Sequence, residues 1–559
     1  MSETEMHKEG VILHWQRKEL ILLGVAAAVT LTGCAQNEQG NPSEQTQEAG
    51  MEEKQEVQVS EESGKEAVDA TVVIDPANAS TFHAGKFEGW GTSFCWWANR
   101  IGYSDTLTQQ AAQAFYDKEQ GLGLNIIRYN VGGGDDPEHD HITRTDSDMP
   151  GYAINPSYDE ATGEYTWEYD WSADANQRNV LLQALKVCGE DAVVEGFSNS
   201  APYFMTNSGC SSGAQLSNKN NLKDDAYDAF AQYIADVTEY YKDTYNVDFS
   251  SYSAMNEPYT DYWGAYSWKQ EGCHFDMGES QSQMLLSLRN ALDAKGLDQV
   301  QVSGTDETSI DVQILSYGQL SQEAKDVVDR IDTHTYGGSR REALRTLAET
   351  EGKNLWMSEV DGGDTAGENA GEMGAGLWLA QRVITDMNEL RPSAWVMWQA
   401  IDNHICAEGY QGRTDSGMPD ISGGYWGLAV ADHDEQQLIL TMKYYALGQF
   451  TRYIRPGYTI ISGDEHSLAA YDAEGHRLIV VMTNVTGKDR KVDVDLSAFS
   501  QIGSNVSVIR TSGDMSSGEK WQKLSPIETY GAGFYAELIP NSVTTYIVQD
   551  VSQIGRAHV

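Results

Sequence analysis

The sequence predicts an α/β fold: a (β/α)8 TIM barrel with an attached all-β sandwich built from both chain ends. Between residues 86 and 440, eight short apolar runs alternate with helix-like segments, which is the repeat of a parallel barrel. Across residues 441–552 the runs become short and β-branched between Gly, Asn, Asp and Ser clusters, a pattern typical of a sandwich. Residues 71–85 begin with a strand that the barrel does not need, so we expect it to join the sandwich.

The helical segments of the predicted barrel show a clear apolar period. In the clearest case Tyr227, Phe230, Ile234 and Val237 recur at three- and four-residue spacing. Such spacing places the four side chains on one face of a helix, and this predicts an amphipathic helix packed against the sheet.

Residues 1–34 are predicted to be a lipoprotein signal peptide. Basic residues precede an apolar run from Leu20 to Gly33 that is too short to span a membrane. The run closes on Leu31 to Cys34, which resembles a bacterial lipobox and would make Cys34 the lipidated first residue of the mature chain. A plain signal peptide cleaved nearby is the alternative. Both predict an exported protein, held at the cell surface or secreted.

The remaining segments and the charge limit the partners. Residues 35–70 are rich in Glu, Gln and Ser, which predicts a disordered acidic linker. Residues 554–559 resemble a translated sequencing adapter and are left out of the fold prediction. The chain has 84 acidic against 38 basic residues, a formal charge of −46, which disfavours nucleic acid as a partner. Contact with a membrane is expected only through the lipid anchor.

Five cysteines follow Cys34, and none of them forms a CxxC pair, so the sequence supports no zinc site. Cys210 and Cys273 follow consecutive predicted strands, and their pairing in an oxidising compartment is an expectation. No metal and no cofactor is predicted.

Two of the predicted strands end in a glutamate. The run from Ser251 ends at Glu257, where Pro258 breaks it, and the run from Leu355 ends at Glu359. The separation, 359 − 257 = 102 residues, equals three βα units, which places the two on strands 4 and 7. Parallel barrel strands end on the same face, and two facing carboxylates there are the equipment for glycoside hydrolysis. For either glutamate alone, a surface loop residue is the alternative.

Four further stretches resemble glycoside hydrolase family 30, and within it the endo-β-1,6-galactanase branch. They are Glu88 to Ala98, Tyr129 to Pro137, Ser198 to Met205 and Lys443 to Phe450. The likeness to the galactanase branch rests on the Trp96-Trp97 pair and on the loop from His139 to Asp146.

The resemblance implies a division of labour between the two glutamates. Glu257 would be the acid/base and Glu359 the nucleophile of a retaining reaction. Glu257 must then be protonated at working pH, with a raised pKa, while Glu359 stays ionised.

Eight residues are candidates for substrate binding: Asn256, Arg128, Trp96, Trp97, Asn199, His334, Tyr336 and Trp398. Asn256 is a candidate for the 2-hydroxyl, and Asn199 for another hydroxyl. Trp398 is expected under the cleaved sugar. Trp96 and Trp97 are expected to line the cleft, although one of an adjacent pair usually points into the core.

Three of these candidates lie on strands next to the glutamates. Arg128 ends strand 2, where it would orient Glu359 and lower its pKa, the alternative being a structural ion pair. Tyr336 on strand 6 is a candidate donor to the nucleophile. His334 shares a face with Tyr336, with a satisfied core histidine as the alternative.

The sequence therefore predicts an exported retaining β-glycosidase that hydrolyses β-1,6-linked galactan, such as arabinogalactan side chains, by double displacement. The alternatives within the family are a β-1,6-glucanase, a xylanase or a β-glucosidase. The alternative of another class is a non-catalytic surface glycan-binding lipoprotein, which the presence of both glutamates disfavours. Internal cleavage and cleavage from a chain end both stay open.

Overall fold

The computed structural model describes residues 67–138, 141–144, 146–361, 371–407 and 426–553. The predicted signal peptide with Cys34, most of the predicted linker and residues 554–559 lie outside the described residues, so these expectations stay predictions. Within the described ranges, none of the helices combines the length and the apolar character that crossing a membrane requires.

Strands and helices alternate through the first part of the described chain. The strands are β1 Ala70–Val73, β2 Gly89–Ser93, β3 Ile126–Asn130, β4 Ala153–Asp159, β5 Glu164–Tyr169, β6 Val193–Phe197, β7 Ser251–Ser253, β8 Gln301–Ser309, β9 Arg330–Gly337, β10 Asn354–Glu359, β11 Ala394–Met397, β12 Ile401–Ile405, β13 Ala429–Asp432 and β14 Gln437–Leu440. The helices are α1 Trp97–Ile101, α2 Asp105–Tyr116, α3 Ala175–Cys188, α4 Tyr227–Tyr245, α5 Glu279–Ala294, α6 Ile310–Gln319, α7 Gln322–Val327, α8 Arg341–Glu351, α9 Met373–Thr385, which continues into a π-helical turn Asp386–Leu390, and α10 Met442–Thr451. Short 3-10 helices cover Pro76–Asn78, Phe82–Gly85, Gly189–Asp191 and Tyr203–Met205.

Eight parallel strands close into a barrel in the order β2, β3, β6, β7, β8, β9, β10 and β11, with β11 pairing back to β2. These are the eight strands that the sequence predicts, so the barrel is confirmed. The amphipathic helix is confirmed as well, because Tyr227, Phe230, Ile234 and Val237 are all buried on α4. The barrel thus has the apolar face of a helix packed on its outside.

The strands after the barrel form antiparallel sheets. They are β15 Thr459–Ser462, β16 Ser467–Asp472, β17 Arg477–Asn484, β18 Arg490–Asp495, β19 Phe499–Gln501, β20 Asn505–Ser512, β21 Glu519–Lys523, β22 Ile527–Glu528, β23 Gly533–Leu538, β24 Ser542–Val548 and β25 Ser552–Gln553. One sheet has the order β15-β16-β17-β24-β20-β21, and β1 joins β18 and β23 in a second. Val72 of β1 lies opposite Val494 and shares a core with Val480 and Tyr546, while its neighbour Val73 is 53% exposed. The predicted use of both chain ends is therefore confirmed.

Two small sheets were not predicted. The hairpin β4–β5 interrupts the connection between β3 and α3, and β12, β13 and β14 follow the last barrel strand. The side chains of Tyr165, Trp167 and Tyr169 alternate along β5 and pack against the barrel core. Alternating aromatic residues therefore mark β5 in the sequence, although a simple βα repeat has no strand within this connection.

The expected disulfide between Cys210 and Cys273 is wrong, because every cysteine in the described ranges is a free thiol. The sulfur of Cys210 accepts a hydrogen bond from the Tyr266 amide at 3.3 Å. Cys273 lies in the main core, where burial raises the pKa of its thiol to about 12. The two sulfurs occupy separate buried surroundings instead of facing each other.

A buried ion cluster lies inside the barrel. The Arg330 guanidinium binds Glu195 and, at 2.6 and 2.9 Å, both carboxylate oxygens of Asp332, and it stacks 3.5 Å from the centre of the Trp356 ring. The two carboxylates are fully buried. Buried charges of this kind are tolerated only while they are paired.

We therefore expect Arg330→Met to lower the free energy of unfolding by about 3–5 kcal/mol, because it removes the cation that both buried carboxylates bind and leaves Glu195, within the described residues, with only the Arg128 cation at 3.4 Å. Urea denaturation measures the change. The matched control is Arg340→Met: this guanidinium pairs with Asp311 at the surface, where the two side chains are 49% and 39% exposed. Its loss should cost less than about 1 kcal/mol. Equal losses in the two variants would contradict the role given to Arg330.

Candidate active site

Glu257 and Glu359 lie at the same end of the barrel. Glu359 is the last residue of β10, whereas Glu257 lies in the turn after β7 with a left-handed φ of 47°. Such a φ is costly for a residue with a side chain. The turn is held by the Glu257 amide, which donates to the Asp306 carbonyl at 2.8 Å, and by the Glu257 carbonyl, which accepts from the Trp263 indole at 3.1 Å.

The two carboxylates face each other across the imidazole of His334. Nδ1 of His334 lies 3.1 Å from Oε1 of Glu257 and 3.5 Å from Oε1 of Glu359. An oxygen of each glutamate and a nitrogen of His334 all lie within 4.8 Å of one another. The sequence prediction that two strand-end carboxylates meet thus agrees with the geometry of the site.

Arg128 on β3 lies behind Glu359. Its guanidinium donates to Oε2 of Glu359 at 2.5 Å, to Oδ1 of Asn256 at 3.0 Å, and to Asp306. The side chain is 1% exposed and its guanidinium packs against the Phe197 ring. Arg128 therefore orients the carboxylate, as the sequence suggests, but it is a positioning residue and does not reach the cavity as a substrate ligand.

The ionisation of this cluster differs from the expected order. Burial raises the pKa of Glu359 to about 6, although His334 and Arg128 oppose the rise. Burial also opposes ionisation of Glu257, but hydrogen bonds from His334 and Tyr262 lower its pKa below the ordinary value. The expectation of a raised pKa at Glu257 is therefore wrong for the substrate-free site, because His334 donates to Glu257, whereas a pKa of about 6 leaves Glu359 largely ionised at neutral pH.

His334 carries a positive charge inside this cluster. Burial disfavours the charge, yet the carboxylates of Glu359 and Asp306 outweigh burial and raise the pKa of His334 to about 10. Nδ1 and Nε2 are then both donors, toward Glu257 and toward Asp306 at 3.2 Å. In this form His334 can donate to either glutamate, since its Nδ1 lies 3.1 Å from Glu257 and 3.5 Å from Glu359.

A cavity with a volume of about 610 Å³ opens above the two glutamates. Four of the predicted substrate-binding residues line it: Trp96, Asn256, Tyr336 and Trp398. The rings of Trp96 and Trp398 meet edge to face with centroids 5.1 Å apart. Tyr336 donates from its hydroxyl to Oε1 of Glu359 at 3.2 Å. These residues form an aromatic wall with a polar base, the type of surface that sugars bind.

Three other candidates lie outside the cavity wall. Trp97 is fully buried and donates to the Ser93 carbonyl at 2.8 Å, so its prediction as a cleft residue is wrong. Asn199 is 1% exposed and hydrogen-bonds Asn130 at 3.4 Å, so it is not a hydroxyl ligand in this geometry. His334 is fully buried and reaches the substrate only through the carboxylates.

The sequence prediction missed two residues that contact the glutamates. The hydroxyl of Tyr262 donates to Oε2 of Glu257, although the tyrosine side chain is 52% exposed. Asp306 on β8 binds Arg128, His334 and Ser358. The apolar run that predicts this strand, Gln299 to Gly304, ends before Asp306 because the following residues are polar, whereas the strand continues to Ser309. A run of polar residues directly after an apolar strand is the sequence feature that could have predicted Asp306 as a site residue.

Comparisons with known proteins identify the family. Residues 69–326 match the model described as O-Glycosyl hydrolase family 30. The chain is 32% identical over 504 residues to an endo-beta-1,6-galactanase from Hypocrea rufa, covering 86% of this chain and 95% of the relative. The chain belongs to glycoside hydrolase family 30. This family 30 protein is therefore a glycoside hydrolase, which confirms the enzyme class predicted from the two glutamates.

Three other similar proteins share less sequence with this chain. An exo-beta-1,6-galactobiohydrolase of Bifidobacterium longum subsp. longum is 26% identical over 547 residues, covering 76% of this chain and 35% of the relative. The catalytic domain of GH30 xylanase C from Talaromyces cellulolyticus superposes with a TM-score of 0.61 at 18% identity, covering 86% of this chain and all of that chain. A conserved exported protein from Bacteroides fragilis gives a TM-score of 0.65 at 16% identity, with 85% and 100% covered. The two structures share the fold.

A further carboxyl, Glu271, lies buried behind the cavity wall. It accepts a hydrogen bond from the Gly133 amide at 2.7 Å and one from Asn130 at 3.4 Å. The residue is 1% exposed, and burial raises the pKa of its carboxyl to about 8. The group therefore stays protonated at neutral pH in the folded protein.

This raised pKa predicts a loss of stability with rising pH. In the unfolded chain Glu271 loses its proton near its ordinary pKa of 4.5, whereas the folded chain keeps it until about pH 8. Stability is thus lost as pH rises from 4.5 to 8. Between pH 4 and pH 7, the free energy of unfolding of Glu271→Gln should rise relative to the parent by about 3 kcal/mol. Denaturation at both pH values measures it, and the exposed Glu164→Gln should show no such rise.

Proposed function

We propose that the protein is a retaining β-glycosidase that hydrolyses β-1,6-linked galactan. The observation that carries the mechanism is the short distance between the two carboxylates, whose oxygens approach within 4.8 Å. Retaining glycosidases hold their carboxyl groups about 5–5.5 Å apart, and inverting enzymes about 6.5–9.5 Å. The galactan specificity is supported by the endo-beta-1,6-galactanase relative, whose length the chain covers almost completely.

The proposed reaction has two steps. In the first, Glu359 attacks the anomeric carbon while Glu257 gives its proton to the glycosidic oxygen, so that the leaving chain departs with that proton. In the second, Glu257 takes a proton from water, and the resulting hydroxyl attacks the anomeric carbon and frees Glu359. Both glutamates return to their starting state, and no further reactant is needed.

The neighbouring side chains fit these steps. Oδ1 of Asn256 accepts from Arg128, which fixes the amide and leaves its NH2 group to donate to the 2-hydroxyl of the sugar. Tyr336 donates to Glu359 and so stabilises the carboxylate that must attack. The rings of Trp96 and Trp398 supply apolar faces for the sugar.

Substrate binding must also place the proton correctly. Two buried carboxylates this close cannot both ionise freely, so the pair keeps one proton until the pH reaches the pKa of Glu359, about 6. Without substrate, His334 lies nearer to Glu257 than to Glu359. Its hydrogen bond therefore stabilises the charge on Glu257, and the proton stays on Glu359. We propose that substrate moves the hydrogen bond of His334 to Glu359, which lies only 0.4 Å farther away (3.5 − 3.1), and thereby leaves the proton on Glu257.

Export and lipidation at Cys34 are part of the proposal. They are supported by the basic start, the apolar run and the lipobox-like end of residues 1–34. A surface location suits an enzyme whose substrate is a polymer too large to enter a cell.

The purified protein should release reducing ends from β-1,6-galactan. Glu257→Gln and Glu359→Gln should each lower kcat by about a thousandfold, since each removes a group that acts in the transition state. The exposed Glu323→Gln on α7 is the control and should keep full activity. Release only from β-1,6-glucan or xylan would retain the mechanism and reject the galactan specificity. Inactivity on all three would favour the glycan-binding alternative.

Retention should be visible in the first product formed. Proton NMR of early hydrolysis should show the β anomer, and an initial α anomer would contradict double displacement. Azide separates the two roles: Glu359→Ala with azide should give an α-glycosyl azide, because azide fills the face that the nucleophile vacates. Glu257→Ala with an activated aryl glycoside should give the β-glycosyl azide, because azide then attacks the covalent intermediate from the other face.

A further inference from the structure

A second cavity of about 550 Å³ lies beside the catalytic cavity. Tyr262 and Thr308 line both cavities and form the boundary between them. The second cavity has neither Glu359 nor Trp398 in its wall. It is therefore a separate space on one side of the reacting groups and not a deeper part of the same pocket.

Glu257 stands at the boundary between the two cavities. The hydroxyl of Tyr262 donates to Oε2 of Glu257, and Thr308 hydrogen-bonds the same carboxyl group. An acid that protonates the glycosidic oxygen must face the leaving part of the substrate, while the nucleophile faces the sugar that is retained. The cavity beyond Tyr262 consequently lies on the side toward which the leaving chain departs.

The walls of this second cavity have the chemistry of a sugar site. Tyr259 offers an aromatic ring that is 45% exposed. Its position is fixed, because its amide donates to Glu307 at 3.1 Å and its ring packs 5.6 Å from the ring of His274. Lys219 and Asn218 are exposed donors in the wall, and across the described ranges the Lys219 ammonium forms no ion pair. An aromatic face with donors at its edge binds the C–H face and the hydroxyls of a pyranose.

We propose that this cavity binds the leaving-group portion of a β-1,6-galactan chain, with Tyr259 as the stacking surface. The inference rests on the proposed function, because it takes Glu257 as the acid/base. It adds the location of the leaving chain and the residue on which that chain stacks. Tyr262 and Thr308 then hold the acid between the two halves of the bound polymer.

The test compares two substrates that share the retained sugars but differ on the leaving side. One is β-1,6-galactohexaose labelled at its reducing end, and the other is a β-1,6-galactobiosyl fluoride, whose leaving group is too small to reach Tyr259. In the full-length enzyme, Tyr259→Ala should lower kcat/KM on the hexaose about tenfold and change it less than about twofold on the fluoride. Lys219→Ala should show the same selectivity with a smaller loss.

Tyr530→Ala is the matched control, because this tyrosine is 39% exposed and lies in the loop before β23, outside both cavities. It should leave kcat/KM unchanged on both substrates. The labelled fragments report the position of the cut directly: the parent should first release labelled products of two or more sugars, and Tyr259→Ala should lose that preference. Circular dichroism checks that the variants are folded.

Two results would overturn the inference while the proposed function stands. Equal losses on the hexaose and the fluoride would show that Tyr259 acts through the catalytic groups, and no loss on either would show that the leaving chain does not use this cavity. Activity of the parent only on β-1,6-glucan or xylan would reject the galactan specificity, and the same comparison with that glycan would then decide the role of the cavity. Inactivity of the parent on all three would overturn both proposals.

Discussion

The site depends on one buried ion pair, that of Arg128 with Glu359. The guanidinium donates directly to the carboxylate, and it also holds Asn256 and Asp306. Each of these partners comes from a different part of the barrel, so one side chain on β3 ties together the end of β10, the turn after β7 and β8. A buried cation of this kind is stable only while its carboxylates remain, and the carboxylates are stable only beside the cation. Arg128 therefore positions Glu359 relative to Asn256 and Asp306.

Two residues of the same cluster have a strained backbone. Glu257 and Asp306 have backbone φ values of 47° and 67°, which residues other than glycine rarely adopt. The Glu257 amide donates to the Asp306 carbonyl, so each strained residue holds the other. Strain of this type persists only where the surrounding contacts determine it, and it is common at functional sites. The hydrogen bond to Asp306 thus holds the turn that points Glu257 at the cavity, and Asp306 itself binds Arg128 and His334.

The sequence predicted the strands and helices that show a regular spacing of apolar residues. It failed for features that depend on contacts between segments far apart in the chain. The eight barrel strands and α4 follow from apolar runs and helical spacing, and Glu257 and Glu359 follow from their places at strand ends. Asp306 was missed because its strand continues through polar residues that only the barrel interior explains. Trp97 was misplaced because an adjacent pair gives no sign of which member faces the core. The order of the carboxyl pKa values depends on where His334 donates, and no local pattern encodes that contact.

The charge cluster does not by itself select a sugar. In the proposed reaction the two glutamates, positioned by Arg128 and His334, act on the anomeric carbon and the glycosidic oxygen, which every β-glycoside has. Trp96, after β2, and Tyr262, after β7, lie instead in connections that follow barrel strands. Connections of this kind vary without disturbing the barrel, since they add little to its core. Because Tyr262 touches both Glu257 and the boundary of the second cavity, the position of the acid and the fit of the leaving chain are physically coupled, so a change in that loop must alter both.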